Sequence, residues 1–219
     1  MDYLLHIDTS SDAGSVAIGA DGKLLAQRIN NETRNHAATI NMMIEDVLAD
    51  AGINMEQLSG VVVCAGPGSY TGLRIGMATA KGICYALDKP LLLDNKLTLL
   101  AYQCSKKQPA SQYISLLTAR EKEYFIAVYD SDFYCILTPQ HIMAEHLSSI
   151  IKEADTTVLI TDDAAVGGAL PLSNLQIEDS TNINFELWIS YANEQFKRRN
   201  TVNLSTAEPF YLKQVYTHK

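Results

Sequence analysis

The chain has 219 residues, 47% of them hydrophobic and 19% charged, with a formal net charge of -8 and a pI near 5.0. That length suits two lobes with a core each, and the apolar content excludes a disordered chain. The acidic field repels phosphate backbones, so any nucleic acid is expected to be gripped mainly by a partner.

The N-terminus, Met1-Asp2-Tyr3-Leu4-Leu5-His6-Ile7-Asp8, carries acids where an export signal needs a basic region. No run approaches the roughly 20 apolar residues of a membrane span, so a cytoplasmic protein is expected. Cys64, Cys84, Cys104 and Cys135 are widely spaced without a CxxC pair and read as reduced thiols.

Residues 3–7, 15–19 and 23–29 are short apolar runs punctuated by Asp12-Ala13-Gly14 and Asp21-Gly22, which predicts three antiparallel strands and a tight hairpin. Over 36–51 the period becomes helical, with Ile40, Met43, Ile44, Val47, Leu48 and Ala51 on one stripe and Gly52 as the stop. Val61-Val62-Val63 reads as a strand buried on both faces. It enters Gly66-Pro67-Gly68-Ser69-Tyr70-Thr71-Gly72, followed by a helix to about Leu87. A strand at 91–93 and a helix over 96–104 complete a first lobe, 1–105. The second lobe, 106–219, is expected to hold strands at 113–117, 124–129, 133–137 and 158–160, and helices near 144–151 and 185–198. Its closing segment, Glu208-Pro209-Phe210-Tyr211-Leu212-Lys213, is too apolar for a free tail and is expected to pack back on the first lobe.

Gly66 and Gly68 allow a sharp strand-to-helix turn, and Ser69 or Thr71 can cap the helix. A helix start offers free amides to an anion. The spacing nevertheless fits no P-loop, dinucleotide fingerprint or GxSxG elbow, so tight-turn packing is the first reading and an anion contact the second. Within the helix, Gly72, Gly76 and Ala80 form one small-residue stripe, and Ala78, Gly82 and Ala86 form another. Arg74 and Lys81 are its charges before Asp88, too few for an ordinary surface helix. Cover on more than one side is expected, from the second lobe or, preferentially, from a partner chain. The expected partner face comprises Gly72, Ile75, Gly76, Met77, Thr79, Ala80 and Ile83, with Ala38 and Met42 on the first helix as neighbours.

Four stretches together resemble the TsaB (YeaZ) family. They are Ile7-Asp8-Thr9-Ser10 with Ser15-Val16-Ala17-Ile18, the block from Ala65 to Gly76 with Ala80-Lys81-Gly82, the turn Ala119-Arg120, and Pro209-Phe210-Tyr211-Leu212. The resemblance implies a two-lobed actin-like ATPase (ribonuclease-H-like) α/β fold, with mixed sheets flanked by helices. It implies a non-catalytic scaffold subunit of the machinery that places threonylcarbamoyl on adenosine 37 of tRNA. The implied partners are a TsaD-type catalytic paralogue, which docks on the first-lobe helices, and a TsaE-type ATPase. A homodimer through the same face is implied when the chain is alone, and tRNA is reached only through the complex. The chain departs from the family pattern at Thr118, usually aspartate, and at Ala37, usually serine.

Two enzymatic alternatives stand beside the scaffold. An actin-fold ATPase or phosphotransferase would use Asp8, Thr9, Ser10, Gly66, Gly68 and Ser69 around a nucleotide. Thr9 and Ser10 replace the flexible DxG pattern, so Asp8 reads first as a turn cap, and ATP is expected only within the assembled complex. The catalytic paralogue holds a metal with two histidines four residues apart; by this resemblance those places hold Lys96 and Leu100, so neither metal nor catalytic residue is expected. A glycoprotease-like peptidase is the weaker alternative. His6, His36, His141, His146 and His218 contain no HExxH, and nothing raises a dispersed triad above background.

Overall fold

The structure, a computed structural model, describes residues 1–32, 35–179 and 181–212. Lys213 of the closing segment and His218 lie outside the described residues.

The chain forms two compact units. In the first, β1 (Tyr3–Asp8), β2 (Gly14–Ala20) and β3 (Lys23–Asn30) are antiparallel neighbours. Asp21 and Gly22 join β2 to β3 with φ of 47° and 85°, the left-handed pair that a two-residue hairpin needs to match strand twist. Helix α1 (His36–Ala51) ends on Gly52 at φ 67°. Strand β4 (Leu58–Cys64) joins parallel to β1, α2 (Tyr70–Leu87) follows, and β5 (Leu91–Asp94) pairs parallel to β4. The sheet order is β3-β2-β1-β4-β5. Alternate residues Leu5 and Ile7 of β1 and Val61 and Val63 of β4 pack with Ile40, Ile44 and Val47 of α1 and Met77 and Ala80 of α2, so both helices share one sheet face.

The second unit opens with α3 (Lys96–Lys107) and continues through β6 (Gln112–Arg120), β7 (Glu123–Asp130), β8 (Cys135–Met143), the one-turn α4 (Leu147–Ile150), β9 (Thr157–Thr161) and β10 (Leu175–Glu178). Its order is β10-β9-β6-β7-β8. Counted from each unit's own first strand, both sheets follow the path 3-2-1-4-5, with the second and third strands in antiparallel pairing and the fourth and fifth in parallel pairing. This duplicated mixed sheet is the two-lobed actin-like, ribonuclease-H-like architecture.

The chain then returns to the first unit with α5 (Phe185–Lys197) and a strap through Phe210. The units therefore divide between Asn95 and Lys96, not at 105/106. Helix α3 groups with the second unit because Leu97, Leu100, Ala101 and Cys104 bury against Tyr113, Ala127 and Ile160 of that sheet. In the strap, Val202 donates its amide to Leu91 O (3.0 Å) and Phe210 to Ala65 O (2.8 Å). Strand β8 begins at Cys135 and not at Phe133, whose φ of 64° keeps it in the turn, stacked on Tyr129. Strand β10 is a four-residue edge strand in which Leu175 and Ile177 alternate with Gln176 and Glu178, and its burial is only partial.

Helix α5 covers the sheet face opposite α1 and α2. His6, offset by one from Leu5 and Ile7, points to that side and meets the Trp188 indole edge-on at 5.0 Å. Trp188 donates its Nε1–H to Asp94 Oδ2 at 2.7 Å, and all three side chains are buried. Burial pushes the Asp94 carboxyl up to about 6 against the pull of the indole hydrogen bond, and pushes the His6 imidazole down to about 3. The signs are opposite. His6 contributes stability that is full above its ordinary 6.5 and is lost as pH falls toward 3. Asp94 contributes stability that is full below its ordinary 3.8 and is lost as pH rises through about 6. In His6→Phe the ring contact is kept and the titration removed. The stability of that variant relative to the parent should rise as pH is lowered from 7 to 4, by no more than about 1.4 kcal/mol per pH unit, and its melting temperature with it. A difference that stays constant across that range in thermal denaturation would contradict the burial argument.

Candidate functional site

The glycine loop forms a joint with the end of β1. Thr9 is fully buried, and its hydroxyl donates to Gly72 O at 2.7 Å. The Ser69 amide donates to Ser10 O (2.8 Å), Ser69 Oγ accepts from the Gly72 amide (3.3 Å), and Asp8 Oδ1 accepts from the Ser10 amide (2.8 Å). A Cβ on Gly68 would collide with the Ser10 carbonyl, one on Gly72 with the Thr9 carbonyl, and one on Gly76 with the Thr9 hydroxyl. Three glycines thus let two backbones touch, and Gly66 adds the positive φ (107°) that turns the chain out of β4.

Of the residues expected at a nucleotide or anion contact, Asp8, Thr9 and Ser10 are buried and already engaged within the joint. Gly66 is buried, whereas Gly68 and Ser69 reach the surface. Next to them lies a cleft of about 260 Å³ lined by Ser11, Asp12, His36, Ser69, Thr71, Gly72 and Ile75. His36 is oriented there by a 3.0 Å hydrogen bond between Nε2 and Ser11 O.

The partner face expected on α2 needs correction. Gly72, Gly76, Met77 and Ala80 are buried against their own sheet, the two glycines forming the socket for Thr9. They have no surface to offer another chain. Ile75, Thr79 and Ile83 are half-buried at the flank, while Ala38 and Met42 on α1 are exposed, Met42 by 63%. The outward stripe of α2 is Arg74, Ala78, Gly82 and Tyr85, with Ala86 beside it. An added Cβ at Gly82 meets nothing within 4 Å, and Tyr85 is 84% exposed. Tyr85 and Gly82 border an apolar cleft of about 460 Å³ completed by Lys81, Leu204 and Ser205, where Lys81 Nζ donates to Ala207 O at 3.0 Å. Both small-residue stripes are visible in the sequence. The signal that separates them is Arg74, four residues before Ala78 and eight before Gly82, which marks their side as the solvent side.

The remaining candidates are dispersed. Lys96 opens α3, Leu100 is fully buried, and His141 pairs with Glu123 on the second sheet at 2.8 Å. Thr118 donates its amide and hydroxyl to Asp162 Oδ1 at 2.8 and 2.9 Å. Among the described residues no three His, Cys, Asp or Glu side chains are grouped to hold a metal, and no helix is long and apolar enough to cross a membrane.

Residues 23–160 match the family described as TsaD, tRNA N6-adenosine threonylcarbamoyltransferase. The tRNA threonylcarbamoyladenosine biosynthesis protein TsaB of Haemophilus influenzae is 29% identical over 99% of this chain and 95% of its own length. The solved structure of YeaZ from Pseudomonas aeruginosa superposes with a TM-score of 0.83 at 25% identity, covering 97% of this chain and 100% of that one. The activator of 2-hydroxyisocaproyl-CoA dehydratase from Clostridium difficile, solved with bound ADPNP, shares the fold alone, with a TM-score of 0.50 at 12% identity over 90% and 97% of the two chains.

The two glycine stripes make opposite predictions. Gly72→Ala should destabilise the chain by about 1–3 kcal/mol or more, because a methyl group is forced onto a backbone oxygen that cannot move aside. Gly82→Ala should leave stability unchanged or raise it by up to about 1 kcal/mol through helix propensity. Denaturant titration of the two variants checks the contrast, and equal effects would refute the assigned orientation of α2.

Proposed function

The chain belongs to the tRNA N6-adenosine threonylcarbamoyltransferase family, on its TsaB (YeaZ) branch, and we propose that it serves there as a scaffold subunit that docks on and activates a TsaD-type catalytic paralogue. The observation that carries this reading is the outward stripe of α2. Ala78, Gly82 and Ala86 expose almost bare helix backbone, with Tyr85 projecting alongside and Met42 exposed on α1. Each glycine inside a helix costs about 1 kcal/mol relative to alanine. Gly72 and Gly76 recover that cost by admitting Thr9; Gly82 has no such use within its own chain. A partner helix packed closely against it supplies one.

A non-catalytic role is supported by two features. Asp8 is committed to the Ser10 amide, and Lys96 and Leu100 stand where the resemblance places the metal-holding histidines. In this reading the chain works in the cytoplasm without a cofactor of its own, ATP belongs to the assembled complex with its TsaE-type ATPase, and the free chain pairs with itself through the α1–α2 face. A stand-alone ATPase is the rival reading; tight ATP binding with hydrolysis by the purified chain would favour it.

Ala78→Glu and Gly82→Glu should abolish co-purification with the TsaD-type paralogue while leaving the circular dichroism spectrum and melting temperature near those of the parent. A complex that persists in both variants would place the contact elsewhere. Substituting Gly76 or Ala80 does not test the face, since charges there would break the core first.

A further inference from the structure

We propose that the C-terminal end of α5 is a direct docking point for tRNA, where Lys197 and Arg199 hold the phosphate backbone and Phe196 and Thr201 line the groove that receives the adjoining nucleotide. The proposal rests on the reading of the chain as a subunit of a tRNA-modifying assembly.

Lys197, Arg198 and Arg199 make a run of three cations in a chain with 25 acids and 17 bases, so the surface departs here from the acidic field of the whole. All three are exposed. Lys197 and Arg198 lie where cations complement the negative end of a helix, which by itself explains them. Arg199 lies past that end. The Arg199 amide donates to Phe196 O at 2.9 Å and the Asn200 amide to Gln195 O at 3.0 Å, a Schellman closure with Arg199 in the left-handed position at φ 58°. Glycine is the residue that position favours, and an arginine there accepts backbone strain. Its side chain borders a cleft of about 470 Å³ with Asp2, Pro90, Phe196, Lys197 and Thr201.

Among the described residues no carboxylate pairs with Lys197 or Arg199; Arg198 is the member of the run with a partner, Glu194 at 4.0 Å. The turn is held rigid by the Thr201 amide on Arg199 O (2.8 Å) and Asn200 Nδ2 on Gln195 Oε1 (2.7 Å), so little ordering is needed on binding. Two cations, a half-buried aromatic ring and a hydroxyl on one cleft are the chemistry of an RNA segment with an unstacked base. The Asp2 carboxylate on the same cleft disfavours a lone phosphate, yet it accepts hydrogen bonds from a ribose hydroxyl or a base amine. Because α5 covers the sheet face opposite α1 and α2, the ledge stays open when the proposed partner face is occupied.

The test uses the assembled complex of this chain with its catalytic paralogue and the ATPase, and an unmodified tRNA transcript as probe. K197E/R199E should weaken tRNA binding about tenfold or more near physiological salt and lower the slope of log affinity against log salt by about two, one for each phosphate no longer neutralised. K106E/K107E, a reversal of the other basic pair, serves as the control and should leave both unchanged. Size-exclusion chromatography of each variant complex separates the two proposals: failure to assemble in the parent protein sinks the scaffold reading, not this one. With assembly intact, unchanged tRNA affinity and slope overturn the ledge. So does a loss of affinity for the ATPase while tRNA binding is kept, which would assign the cations to an acidic protein surface.

Discussion

The Thr9 side chain, sealed between the end of β1 and the first turns of α2, sets the geometry of the first unit. Its hydroxyl reaches the Gly72 carbonyl because Gly72 and Gly76 present no side chain to obstruct it. A buried hydroxyl left without that acceptor would cost about 1–3 kcal/mol, so the contact fixes both the depth and the rotation of the helix. Once that rotation is fixed, Met77, Ala80 and Cys84 must face the core, and Arg74, Ala78, Gly82 and Tyr85 must face away. The exposed stripe follows from how the buried one is anchored.

The glycine loop is committed to contacts within its own unit. The backbone groups at the turn after β1 and at the start of α2, which could approach a phosphate, are here bonded to each other through Ser10 O and the Ser69 amide. A joint of this kind stiffens the platform under α2, which supports the proposed scaffold role. It is consistent with a protein whose contribution is a surface of fixed shape.

Much of the first unit was legible in the sequence. The Asp21-Gly22 hairpin, the 36–51 helical stripe, the buried valines of β4 and the glycine loop each carry a local signal strong enough to survive tertiary packing. The side on which each α2 stripe lies was not legible, because spacing gives a period but not the identity of the neighbour. That neighbour is Thr9, 63 residues earlier in the chain. The 3-2-1-4-5 duplication was hidden for a related reason: a chain path repeats without any residue repeating. Strand β10 escaped because Leu175–Glu178 is a short edge strand without an apolar run. The unit boundary was misplaced because Lys106-Lys107-Gln108-Pro109 looks like a linker, whereas the passage at Asn95 is a single step from strand to helix without any breaker. The cations after α5 were visible as residues, but the left-handed turn that presents Arg199 needed the structure.

Helix α5 belongs to the first unit although, along the chain, the second unit lies between it and β5. During synthesis, the sheet face bearing His6 and Gly19 must therefore wait, uncapped, while more than ninety further residues follow β5 before Trp188 and Ile189 can cover it. The N-terminal module is a structure begun first and finished late. Until α5 arrives, that face lies open to whatever else binds apolar surface.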